Sequence, residues 1–244
     1  MHPIFKVSSK ISPLFRRKRI QKFLDVFHPR PETRILDVGG LPKCWWDVPT
    51  NAQITTLNIY SLDEYDRSFM TPNQKTVVGD GTELAYEDKS FDIVFSNSVI
   101  EHLGTESRQA KFAEEARRVG KGYWVQTPAK EFFIEPHYFA PFIHWFPKHV
   151  QKRWLRNFSL WGLLGRPTEE TLDLVLAELR LLKRVEYRRL FPDAQFWTER
   201  LFGLPKSYVA YKIPPCLSFC SCVIALLPEN WFCAALLEPA LSFL

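Results

Sequence analysis

Two short apolar runs, Val77-Val78 and Phe91-Asp92-Ile93-Val94-Phe95, each end in a cluster of small or polar residues. The first cluster is Gly79-Asp80-Gly81-Thr82-Glu83-Leu84, and the second is Ser96-Asn97-Ser98. Between the two strands lies a turn-rich loop. Short apolar runs bounded by turn signals predict buried parallel strands, whose carboxyl ends here carry Asp80 and Asn97. In an open α/β sheet that edge is where ligands bind. A third strand, Arg34-Ile35-Leu36-Asp37-Val38, ends in the glycine turn Gly39-Gly40. Three such ends on one sheet predict a nucleotide-type cofactor site.

The run at Val77-Val78 belongs to a strand over Thr76–Gly79 and the next to one over Phe91–Ser96; the remaining strands are predicted at Ile54–Asn58, Tyr123–Thr127, Val185–Leu190 and Tyr208–Ile213. Leu14, Phe15, Ile20, Phe23, Leu24 and Phe27 recur at helical spacing, which predicts an amphipathic helix over Pro13–His28, stopped by Pro29 and Pro31. Phe112, Ala113, Ala116 and Val119 place a helix over Thr105–Val119, and Leu172, Val175, Leu176, Leu179 and Leu182 place another over Thr168–Leu182. Strands alternating with crossovers imply a parallel sheet. The chain thus divides into a basic helix at residues 1–31, an α/β domain at 32–213 and an apolar tail at 214–244.

Residues 128–165 break the rhythm. Phe132, Phe133, Tyr138, Phe139, Phe142, Trp145, Phe146, Trp154, Phe158 and Trp161 crowd there among Pro136, Pro141 and Pro147. So apolar an insertion is expected to fold as a cap over the carboxyl edge of the sheet, with most of its rings packed inward. Lys148, Lys152, Arg153 and Arg156 beside Trp145, Trp154 and Phe158 give it an interfacial, basic–aromatic character.

The chain has 244 residues with 46% hydrophobic and 24% charged side chains, an ordinary balance for one folded domain. Its net charge is +5. Eight Lys or Arg precede Arg34 against Asp25 and Glu32, which predicts a solvated helix face with an anionic membrane surface as the second reading. The five cysteines, four of them in the tail (Cys216, Cys220, Cys222, Cys233), do not read as a disulfide framework. Neither a signal peptide nor an unbroken membrane span is evident, so the expected location is the cytoplasm, with peripheral membrane contact as a secondary expectation.

The order and type of residues at the strand ends resemble the class I S-adenosylmethionine-dependent methyltransferases, in particular the methyltransferase type 11 branch. The likeness runs from about residue 32 to 213 and is most specific at Gly79–Leu84, Phe91–Val94 and Glu101-His102-Leu103. Leu190-Phe191-Pro192-Asp193-Ala194 and Leu204-Pro205-Lys206-Ser207 resemble the end of that domain. The resemblance implies a Rossmann-like, mostly parallel seven-stranded sheet with its last strand antiparallel and helices on both faces, to which the aromatic cap read above is added after the fifth strand. It further implies S-adenosyl-L-methionine as cofactor. Asp37, Gly39 and Gly40 would cradle its aminocarboxypropyl end, and Asn58 would meet the ribose. Asp80 and Gly81 would lie at the adenine, with Ser96 and Asn97 beneath the sulfonium.

Two positions depart from that pattern. Leu41 stands where a spaced glycine is usual, so the turn must take another path and the helix after it must be short. Asn58 replaces the carboxylate that normally accepts from both ribose hydroxyls. A non-catalytic binding or scaffold protein on the same fold is therefore the alternative to an enzyme. A nicotinamide-dependent dehydrogenase fits poorly, because Gly39-Gly40 lacks the third glycine of that motif.

Methyl transfer needs in-line placement above all, and a base only where the acceptor is a hydroxyl or an ammonium. Glu101, His102 and His137 are the catalytic candidates, with His144 a further base in the cap. Their bland reading is a polar helix turn and cap packing. His137, His144 and His149 lack metal-ligand spacing, so no metal is expected. The cap's aromatics favour a small-molecule or lipid-like acceptor. Nucleic acid is disfavoured, because the basic residues cluster in the first helix.

Overall fold

The computed structural model describes residues 3–135 and 140–215. Five strands come first: β1 (Arg34–Val38), β2 (Gln53–Asn58), β3 (Gln74–Val78), β4 (Phe91–Asn97) and β5 (Gly120–Pro128). A short hairpin, β6 (Ile134–Glu135) and β7 (Ala140–Pro141), follows, and β8 (Gln195–Leu201) and β9 (Leu204–Lys212) close the chain's main sheet. The helices are α1 (Pro3–Phe27), α2 (Glu64–Arg67), α3 (Glu106–Val119), α4 (Lys148–Phe158), α5 (Leu160–Gly165), α6 (Glu169–Glu178) and α7 (Arg184–Leu190).

Seven strands form the sheet in the order β3-β2-β1-β4-β5-β9-β8. Neighbours from β3 to β5 pair in parallel, whereas β9 runs antiparallel to both β5 and β8. The last strand alone is reversed, as the resemblance implied. Chain order switches direction between β1 and β4, so the two strands that flank the crevice carry the Gly39-Gly40 turn and Asn97.

Period-two alternation sends the strand side chains to two separate cores. Ile35, Ile54, Ile93, Phe95, Trp124 and Val209 meet Phe23 and Phe27 of α1 on one face. Leu36, Val38, Val94, Tyr123 and Val125 meet Phe112 and Ala116 of α3, with Tyr187 and Phe191, on the other. Burying Phe23 and Phe27 contributes about 1.5–3 kcal/mol each, so α1 is bound firmly to the sheet. The β1–β2 crossover is reduced to a single tight turn, Pro42–Cys44, which bears out the short helix expected after Leu41. With that crossover so small, α1 supplies much of the cover on its face.

Three expectations need correction. The first helix starts at Pro3, ten residues before Pro13. Residues Arg184–Leu190 form α7, not a strand, and the strand lies at β8 instead. The alternation Val185-Glu186-Tyr187 suggested period two, but Glu186 caps the helix by accepting from the Lys183 N–H at 2.8 Å, and Tyr187 meets Phe191 four residues on. Third, α6 ends at Glu178 because the next turn is pulled into tertiary bonds. The Arg180 N–H donates to the Glu101 carbonyl at 2.7 Å, and the Gln109 amide donates to the Arg180 carbonyl at 2.8 Å.

The segment after β5 leaves and returns at the carboxyl edge, where Ala129 pairs with Leu182. Its own small core joins Ile143 and Leu155 to Leu172 and Leu176. Contrary to the inward packing expected, Phe142, Trp145, Phe146 and Phe158 are exposed. Among the described residues no helix is long and apolar enough to cross a membrane. The tail reading for residues 214–244, and with it Cys216, Cys220, Cys222 and Cys233, lies outside the described residues apart from Pro214 and Pro215.

Candidate cofactor site

The glycine turn folds back on its own strand. Gly39 has φ +75°, a conformation few L side chains adopt, and its N–H donates to the Leu57 carbonyl at 2.7 Å. A Cβ on Gly40 would overlap the Asp37 carboxylate. The turn thus brings bare backbone over Asp37 and toward the end of β2. Asn58 locks it there, donating from Nδ2 to the Gly40 carbonyl at 2.7 Å. That bond uses one of the two N–H donors of the amide, and its oxygen is of a kind that can accept from a ligand hydroxyl.

Asp37 is wholly enclosed. Its Oδ2 accepts from Trp45 Nε1 at 2.6 Å, and its Oδ1 has no partner among the described residues. Burial pushes its pKa up from 3.8 to about 7, with the Trp45 bond and the Arg16 charge pulling the other way. A buried carboxylate oxygen under a glycine cradle is a fitting acceptor for a cationic ligand group.

Asp80 sits at the end of β3 beside Gly81, where a Cβ would crowd Val38 and Phe112. The Thr82 N–H and hydroxyl both donate to Asp80 Oδ1 at 2.8 Å, and Arg108 Nη2 pairs with Oδ2 at 3.0 Å. Desolvation works against its charge, but the Thr82 and Arg108 donors together hold its pKa below the ordinary value. Both Asp80 oxygens already serve the chain itself. Just past β2, Ile59 and Tyr60 are exposed, residues the sequence did not single out.

The β4 end divides into inward and outward groups. Ser96 is fully buried and donates to the Val38 carbonyl at 3.1 Å, so it ties β4 to β1 inside the sheet. Asn97 is half-buried, and its Oδ1 accepts from Arg19 Nε at 2.9 Å. Glu101 is buried, its Oε2 accepting from the Thr127 hydroxyl at 3.1 Å, while His102 is exposed. The structure therefore separates this adjacent pair. His137 lies outside the described residues. His144 is buried in the segment after β5, its Nε2 on the Lys130 carbonyl at 2.9 Å, and burial lowers its pKa.

One polar cluster was missed. Glu199 Oε2 accepts from Arg19 Nη1 at 3.0 Å, Lys206 Nζ at 3.1 Å and the Ser207 hydroxyl at 2.9 Å. Its Oε1 is buried without a partner among the described residues. No spacing signals this cluster, because Arg19 stands in the run Arg16-Arg17-Lys18-Arg19 and its partners lie at the far end of the chain.

Asp37, Gly39, Gly40, Asn58, Asp80, Gly81 and Asn97 thus gather at the carboxyl ends of four neighbouring strands of an α/β sheet. Residues 39–122 match the family model described as a methyltransferase domain. A provisionally named methyltransferase of Encephalitozoon cuniculi is 32% identical over 124 residues, which cover 50% of this chain and 57% of that protein. The chain therefore aligns with little more than half the length of that relative. Among solved structures, the provisionally assigned Haloferax volcanii methyltransferase in complex with the Trm112 methyltransferase activator superimposes with a TM-score of 0.51 at 12% identity, covering 88% of this chain and 99% of that one. A provisionally named O-methyltransferase of Nostoc punctiforme gives a TM-score of 0.51 at 15% identity, covering 85% and 58% of the two chains. Residues 39–122 thus carry the likeness to a methyltransferase domain, and the chain shares the fold of these methyltransferases.

Proposed function

We propose that the domain transfers a methyl group from S-adenosyl-L-methionine to a small-molecule or lipid-like acceptor. The observation that carries this reading is the unpartnered Asp37 Oδ1 beneath the Gly39-Gly40 turn, a buried carboxyl oxygen placed to accept from a cationic, backbone-hugging ligand, whose charge would favour the carboxylate. When bound, the cofactor supplies a methyl group already activated by a positively charged sulfur. Asp37 and the turn would hold its amino acid end, and the Asn58 oxygen would accept from the ribose. Asp80 and Gly81 would meet the adenine, with Asn97 on the reacting side.

The chain's own contribution is mainly orientation. Glu101, enclosed and bonded to Thr127, acts as a positioning residue for the β4 and β5 ends. The exposed His102 is then the group available to take a proton from a hydroxyl or ammonium acceptor. Calorimetric titration with S-adenosyl-L-methionine and its demethylated product tests the cofactor reading, and a screen of acceptors with labelled cofactor tests the transfer.

The alternative, a binding or scaffold protein on this fold, draws support from the internal use of polar groups. Asn58 spends a donor on Gly40, and Asp80 is closed by Thr82 and Arg108. Cofactor binding without transfer to any acceptor favours that reading. Absence of binding at millimolar cofactor overturns both the transfer and the site.

A further inference from the structure

We propose that the exposed face of α4 and the turn before it form a docking surface for an anionic lipid bilayer. Two features coincide there. The first is a row of aromatic rings in contact. Phe132 meets Phe133 at 4.8 Å, Phe133 meets Phe142 at 6.2 Å, and Phe142 meets Trp145 at 5.1 Å between ring centres. A second set, beginning at the next residue in the chain, runs from Phe146 to Trp154 at 5.5 Å and on to Phe158 at 6.1 Å. The first row begins in the buried core beside the end of β5 and emerges into solvent, where Trp145 is 51% exposed, and Phe158 of the second set is 71% exposed. Leu163, just beyond, is 57% exposed. Aromatic side chains with a polar edge, such as Trp145, favour the boundary between water and hydrocarbon.

The second feature is charge. Residues 140–158 contain Lys148, Lys152, Arg153 and Arg156 and no Asp or Glu. Lys152 pairs with Glu169 and Asp173 of α6, and Arg156 pairs with Glu169. These bonds fasten α4 to α6 and fix its orientation. Lys148 and Arg153 are exposed, with no ion pair among the described residues. On α4 the apolar stripe Val150, Trp154 and Phe158 lies at i, i+4, i+8, and the cations occupy the adjoining arc. An exposed aromatic ridge bordered by unneutralised cations is complementary to an anionic headgroup layer over a hydrocarbon interior.

The occupant is a bilayer rather than nucleic acid because the exposed apolar side chains of this segment include the aliphatic Leu163 as well as aromatic rings. Stacking on bases calls for aromatic faces alone. Because the ring row ends beside the carboxyl end of β5, docking would bring the sheet edge close to lipid. That last step rests on the methyl-transfer reading, whereas the docking surface does not.

The test is sedimentation of the full chain with phosphatidylcholine vesicles, with and without a third of phosphatidylglycerol, at low and high salt. The expected result is binding to the anionic vesicles only, weakened by salt. Lys148→Glu with Arg153→Glu should reduce partition at least about tenfold, since each cation near such a surface contributes about 1 kcal/mol. Phe158→Ser should reduce it severalfold with the thermal unfolding midpoint unchanged, because Phe158 is exposed. Binding undiminished by both variants places any membrane contact elsewhere in the chain and overturns the proposal. So does absence of vesicle binding, or salt-sensitive capture of a single-stranded RNA that excludes vesicles. Cofactor titration of the same variants separates this outcome from the methyl-transfer reading, because the surface lies outside the cofactor residues.

Discussion

Arg19 of α1 donates to Glu199 of β8 at 3.0 Å although 180 positions separate them, and its Nε reaches Asn97 at the end of β4. One guanidinium therefore joins the first helix, the far edge of the sheet and the end of β4, where the proposed cofactor site lies. Burial lowers the Arg19 pKa, with Glu199 opposing that shift. Arg19→Leu should cost about 3 kcal/mol in denaturant unfolding, the low end for breaking a buried pair, because Lys206 and Ser207 stay on Glu199. A loss within 0.5 kcal/mol would mean the pair is not closed in solution.

Asp37 sets a pH dependence. Its pKa rises from 3.8 to about 7 on folding, so the folded state keeps a proton that the unfolded chain has already released. Stability therefore declines as pH climbs through that interval and stays reduced above it. Asp37→Asn keeps an acceptor for Trp45 and removes the charge. Relative to the parent it should gain up to about 4 kcal/mol at pH 8 and nothing near pH 4, at 1.36 kcal/mol per pH unit. Parallel stability–pH curves for the two proteins would refute the enclosed carboxylate. If Asp37 also accepts from the cofactor, the same variant binds it more weakly at pH 8.

Gly40→Ala should abolish cofactor binding. Its methyl group overlaps the Asp37 carboxylate, so the turn must shift off β1 and release the Asn58 bond. Overpacking of this kind costs about 1–3 kcal/mol, which a folded variant survives. Circular dichroism should report a folded chain and calorimetry no heat of binding; retained affinity would remove the turn from the site.

Asp80→Ala should weaken cofactor affinity about tenfold, or 1.4 kcal/mol. Arg108→Ala frees Asp80 Oδ2 and should leave affinity equal or improved. Unchanged binding by the Asp80 variant would refute the adenine contact.

Much of this was legible along the chain because strand ends are local. Val38-Gly39-Gly40, Asp80-Gly81 and Ser96-Asn97 announce themselves by an apolar run giving way to small residues, and each falls where it was expected at the carboxyl edge. What each side chain does there was not legible. Ser96 looks like Asn97 in sequence, yet alternation turns it inward to Val38 while Asn97 faces Arg19. Glu101 and His102 are neighbours that the turn after β4 sends to opposite environments. Residues Val185–Leu190 misled because a six-residue apolar–polar pattern fits either period, and the Lys183–Glu186 cap decides it.

The sequence alone determined the parallel core, the reversed last strand through its family likeness, and which polar residues stand at the strand ends. Periodicity and turn chemistry act over a few residues, so they are readable there. Only the tertiary structure decided that Trp45 would occupy one oxygen of Asp37, that Asn58 would spend a donor on Gly40, and that Arg19 would close on Glu199. Those bonds join residues whose nearness depends on how helices and crossovers pack against the sheet, which no local pattern encodes. The same holds for the two sets of ring contacts, Phe132 to Trp145 and Phe146 to Phe158. Composition supplied the aromatics, but the pairing of α4 with α6 decided which of them face water.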